Sequence, residues 1–173
     1  GNGTGNIYTH IIKPTNSILA IANKYNAKLT IFVEIVELWR IEEEWLSGHR
    51  MGYDTNPIHD IIMQLQDARR QGHDIQLHIH PQWVDAKYIN GKWIVNLDNW
   101  RLGGYSRVGK YSLQNLLNKG KATLEEWIRP VDPTYTCVAI RAGGYNIQPS
   151  SKIVKAMQVA GLKIDSSIFP GGK

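Results

Sequence analysis

Strand-like apolar runs alternate with helix-patterned stretches along most of this chain, and that alternation restricts the fold more than any other feature of the sequence. Residues 29–36 (LTIFVEIV), the stretch after Gly72 (HDIQLHIH), residues 136–141 (TCVAIR) and residues 162–166 (LKIDS) read as strands. Between and around them, residues 15–24, 56–70, 112–128 and 150–160 repeat apolar side chains at intervals of three and four, the spacing of a helix face. Such a succession builds a mostly parallel sheet with crossover helices, so the expected class is α/β. Local punctuation agrees. Asn56 with Pro57 opens a helix, Pro130 stops one, and Gly161 closes the last. Residues 88–95 (YINGKWIV) carry Asn90-Gly91 between strand formers, which predicts a tight hairpin standing outside the main sheet, within an insertion spanning 84–110. At 173 residues and 42% hydrophobic, with no repeat or linker, residues 1–173 are expected to form one domain.

Charge and cysteine content narrow the function classes. The formal charge is +5, yet the longest basic cluster is Arg69-Arg70, so no stripe for nucleic acid accumulates and none is expected as a partner. Cys137 stands alone, which excludes a disulfide framework within the chain. No apolar run approaches the roughly 20 residues of a membrane span, and nothing in the composition assigns a compartment.

The stretch GHDIQLHIHPQW concentrates the chemistry. Read with period two, it puts Ile75, Leu77 and Ile79 on one face and Gln76, His78 and His80 on the other. Neutral imidazoles two apart at the C-terminal end of a strand can share one metal ion, and ligands of α/β folds gather at that end. A pair of hydrogen-bonded histidines in a polar rim is the plainer alternative. Arg141, in RAGGYN, shares a face with small residues and opens into a Gly-Gly turn, where it can pair with a buried carboxylate or make a surface ion pair. Asp165, in DSSIFP, can orient an imidazole or cap a turn. Glu34 ends its strand at the same rim and is expected as a substrate contact or a support to the ligands. Trp83, Trp93, Trp100 and Tyr105 follow the histidines; such rings either receive a sugar or pack the hairpin onto the body.

The order of these segments resembles the polysaccharide deacetylase (NodB-homology) domain over nearly the whole chain: TIFV, then GHDIQLHIHPQW, then RAGGYN, then GLKIDSSIFP. The resemblance implies a distorted, incomplete (β/α) barrel and metal-dependent hydrolysis of an N-acetyl or O-acetyl group on a sugar, with zinc as the foremost metal. By position, it makes His78 the first metal histidine. The second would fall on Gln82, and His80 takes its place here. Arg141 matches the arginine that holds the catalytic aspartate, Tyr145 the aromatic of that motif and a substrate contact, and Asp165 the aspartate that tunes an acid histidine; Trp83 is a substrate contact on the strength of its ring and place alone. The oxyanion donor would be a backbone amide near Gly144 or Tyr145. The family's Asp-Asp pair and acid histidine have no counterpart in these 173 residues, which implies a segment cut at both ends or a non-catalytic glycan-binding scaffold. A barrel-type metal amidohydrolase acting on a non-sugar substrate is a further alternative.

Overall fold

A computed structural model describes residues 5–168. Residues 1–4 of GNGTGN, and Phe169 and Pro170 of DSSIFP, lie outside the described residues. Four strands form a parallel sheet in the order β1 (Thr30–Glu34), β2 (Asp74–Ile79), β5 (Ala139–Ala142), β6 (Ile164–Asp165), while β3 (Lys87–Ile89) and β4 (Lys92–Ile94) form the separate antiparallel hairpin. Asn90 and Gly91 both have positive φ, 50° and 76°, which is what a tight hairpin of this hand requires.

Among the described residues, five α-helices accompany the sheet: α1 (Lys13–Lys24), α2 (Ile35–Leu46), α3 (Pro57–Arg70), α4 (Leu113–Ile128) and α5 (Ser150–Ala160). Helices α2, α3 and α4 pack against β2. Ile75, Leu77 and Ile79 of that strand are all 0% exposed, and Gly120 of α4 lies against Leu77 and Ile35. Polar ties hold this layer together. Trp39 of α2 donates to Thr123 of α4 at 3.2 Å, and Gln66 of α3 donates to the Trp127 carbonyl of α4 at 2.8 Å.

Two departures from the sequence reading each have a local reason, while β6 keeps only Ile164–Asp165 of the expected 162–166 and α1 starts two residues early, at Lys13. The run 29–36 is not one strand. It turns at Glu34, and Ile35–Leu46 is a helix whose buried Ile35, Val36, Leu38, Trp39 and Ile41 follow a helical stripe. Its β-branched start disguises it as strand. The run 136–141 joins the sheet only from Ala139, because the amides of Val138 and Ala139 donate to the side-chain oxygen of Gln76 at 3.0 and 2.7 Å. Gln76 is buried, and its own amide nitrogen donates to Asp74, so this polar group is satisfied on all sides. Gln76 thereby splices β2 to the approach of β5.

Candidate metal centre

The register of the sheet decides what meets at its rim. Glu34 of β1 lies opposite His78 of β2, and His78 lies opposite Arg141 of β5, so three chemically active side chains leave the same face at one level. His80, just past the end of β2, joins them. The imidazoles of His78 and His80 stand nearly perpendicular with centroids 4.5 Å apart. Ligand atoms of Glu34, His78 and His80 lie within 4.8 Å of one another, the one cluster of this kind among the described residues.

Each member is held by its neighbours. His78 donates from Nδ1 to the Arg141 carbonyl at 2.7 Å, which fixes its tautomer and leaves the Nε2 lone pair 4.0 Å from Glu34 Oε2. His80 donates from Nδ1 to Glu34 Oε2 at 2.7 Å. Glu34 caps α2: its Oε1 accepts from the Val36 amide at 3.2 Å, and this aims Oε2 at the two histidines. Gly143, at the end of β5, gives the His80 ring room to lie down, since a Cβ there would come 2.7 Å from Cγ of that ring. Burial holds the pKa of His78 below its ordinary value of 6.5, against the opposing pull of the Glu34 charge. The result is an unprotonated nitrogen available near neutral pH.

The remaining site candidates have these surroundings. Arg141 donates to the Ser166 carbonyl at 3.2 Å and to its hydroxyl at 2.8 Å, with its guanidinium 4.1 Å from the centroid of Phe32. Asp165 accepts from the amide and hydroxyl of Ser167 at 3.0 and 2.6 Å, and Ser167 Oγ accepts from the Ala142 amide at 2.7 Å. Asp165 therefore closes the turn that ties β6 to the end of β5. Tyr145 is exposed beside Arg141, and both it and Gly144 have positive φ, 53° and 64°. Trp83 is buried against Trp93, with ring centroids 5.4 Å apart, and serves as the packing post of the hairpin. Gln82 forms part of the turn after β2, outside the cluster. Cys137 is buried, and burial pushes its thiol up to about 11, which excludes it as a nucleophile near neutral pH.

Two groups carry more than the sequence alone discloses. Glu34 stands in the ligand cluster itself rather than beside it. Glu37, one turn into α2, is pushed up to about 7 by burial and by the neighbouring Glu34 charge, and both carboxylates reach a cavity of about 230 Å³ between β1 and α3. The signal for them is the spacing Glu34-x-x-Glu37, which acquires meaning only once a helix is known to start at Ile35.

Comparison of the chain with family models, with curated proteins and with solved structures finds no match. Fold and site together define an α/β protein with a parallel four-stranded sheet and a Glu-His-His cluster able to hold a metal ion. Among the described residues, no helix is long and apolar enough to cross a membrane.

Proposed function

We propose that this chain carries the metal centre of a divalent-metal hydrolase that removes acetyl groups from the nitrogen or oxygen of a sugar. The observation that carries the reading is the convergence of Glu34, His78 and His80 at the C-terminal ends of adjacent parallel strands. Two imidazoles and one carboxylate, with remaining positions open to water and substrate, are the donor set of hydrolytic zinc sites. A zinc-type ion bound there supplies Lewis acidity towards a carbonyl and a water molecule. The strand order runs without the reversal of a doubly wound sheet, which supports a distorted, incomplete (β/α) barrel.

The chain's own residues then have separable tasks. The Arg141 carbonyl orients His78, and the α2 amide orients Glu34, so the ligands are preorganised. The Arg141 side chain, anchored by Ser166, presents positive charge on the same face and is suited to keep a catalytic carboxylate ionised. Asp165 is suited to tune an acid histidine through its second carboxylate oxygen, which accepts no hydrogen bond among the described residues. The Gly144 and Tyr145 amides, in left-handed conformation, are the candidate donors to a developing oxyanion.

The test joins metal content to turnover. Wild-type protein dialysed against zinc is expected to retain one ion per chain, and His78→Ala and His80→Ala are expected to lose it. Acetate release from N-acetylated or O-acetylated oligosaccharides should stop with a chelator and return with zinc. A wild type that binds no metal and is indifferent to both substitutions turns the reading to a glycan-binding scaffold. A metal-loaded protein that hydrolyses a non-sugar amide and no acetylated sugar turns it to an amidohydrolase.

A further inference from the structure

Helix α5 carries two lysines and no acid, and both lysines line a groove that shares no residue with the candidate metal centre. Lys152 lies in the first turn of the helix and Lys155 one turn further on. A cation in the first turn opposes the helix dipole, and no acidic side chain of α5 offsets it. Both lysines are exposed, and neither makes an ion pair among the described residues. Together with Arg107 and the side chains of Tyr105, Leu113 and Val159, they line a cavity of about 390 Å³ between α5, the start of α4 and the loop that precedes α4. No residue of this lining is acidic. Tyr105 is 4% exposed and Val159 67%, so an apolar wall runs from the interior out to the surface. Two contacts hold the walls in place. Gln114 of α4 donates to the Ala156 carbonyl of α5 at 3.2 Å, and Asp85 accepts from the Arg107 guanidinium, which takes up that charge and leaves those of the two lysines uncompensated.

We propose that this groove binds an anionic ligand with an apolar body, of the class of aryl or alkyl carboxylates and sulfonates. Small-molecule sites join apolar walls to a few placed charges in volumes of roughly 300–1,000 Å³, and the groove has both parts at that size. Tyr105, Leu113 and Val159 receive the body of the ligand. Lys152 and Lys155 meet its charge. A bare inorganic anion leaves the apolar wall in water, and an uncharged apolar molecule displaces water from two ammonium groups without replacing it, so the combined ligand suits the groove better than either. The inference needs neither the metal nor the hydrolase reading.

The experiment titrates the chain with anilinonaphthalene sulfonate, which fluoresces on entering an apolar site, and with phenylnaphthylamine, the same ring system without the sulfonate. Wild type is expected to bind the sulfonate more tightly than the amine and to lose that advantage as salt is raised to roughly 0.5 M. Lys152→Gln and Lys155→Gln should each weaken the sulfonate about threefold, and the two together about tenfold, with the amine unchanged. Val159→Asp, at an exposed helical position, should weaken both probes and the sulfonate more. Lys87→Gln with Lys92→Gln, on the outer face of the hairpin, should alter neither, and circular dichroism should be the same for every variant. Equal wild-type affinity for the two probes, unchanged sulfonate binding in the α5 double variant, or an equal loss in the hairpin double variant overturns the proposal.

Discussion

Gly143 shows how closely the candidate centre depends on one missing methyl group. Its backbone is not in a left-handed region, so the demand is purely spatial: a Cβ would come 2.7 Å from His80 Cγ. Gly143→Ala must push the imidazole away from Glu34. Zinc affinity, measured against a competing chelator, is expected to fall at least about tenfold. Denaturant unfolding should show a cost of about 1–3 kcal/mol from the same overlap. Unchanged affinity would mean that His80 binds from another rotamer. The two histidines were legible because a strand has period two, and residues two apart must share a face. Glu34 was legible only as an acid near the rim. Its place among the ligands depends on the β1–β2 register, a non-local pairing that no local pattern encodes, and on its capping of α2. Trp83 and Trp100 show the same limit from the other side. Each reads as a ring that either receives a sugar or packs the hairpin, and only the folded packing buries one and leaves the other open.

Helices with clear punctuation were legible at the scale of elements, and the one without it was not. Asn56 accepts from the Ile58 amide at 3.0 Å and is followed by Pro57, as its sequence announces. Asn56→Ala is expected to destabilise by about 1 kcal/mol and Asn56→Gly by a few tenths, read as shifts in the urea midpoint. Ser112 likewise accepts from the Asn115 amide at 3.3 Å, and Gly161 ends α5 with φ 71°. Helix α2 lacks such a signal, because its cap is a glutamate that also ends a strand. The contact of α4 with the sheet supplies a second prediction at this scale. Gly120 is a poor helix former, and alanine there gains about 1 kcal/mol of propensity. Against that gain, its Cβ would come 2.8 Å from Leu77 Cδ1 and 3.3 Å from Ile35 Cγ2, and both neighbours are 0% exposed. Overpacking of about 1–3 kcal/mol outweighs the propensity, so Gly120→Ala should lower the thermal midpoint and Gly120→Val should lower it further.

For the molecule as a whole, three buried titrating groups set opposing pH trends. His73 is 0% exposed, and its Nδ1 accepts from the Leu29 amide at 3.2 Å. Burial and the nearby Lys28 charge hold its pKa below 6.5, and burial does the same for His78. Their contribution to stability is fully present above pH 6.5 and is lost as pH falls through the lowered folded values. Glu37 has the opposite sign, because its carboxyl rises from 4.5 to about 7 in the folded chain. The stability associated with its proton is complete below pH 4.5 and is lost as pH rises through about 7. Above that pH the histidines are neutral in both folded and unfolded chains, so the desolvated Glu37 charge is left as a cost of about 2–3 kcal/mol. Glu37→Gln replaces that charge with a neutral group of the same shape. In metal-free protein it should raise urea stability at pH 8 by about 2–3 kcal/mol and leave it nearly unchanged at pH 4.5, where the wild-type carboxyl already holds its proton. An equal gain at both pH values would trace the effect to packing in the cavity shared with Glu34. A gain confined to alkaline pH traces it to the charge.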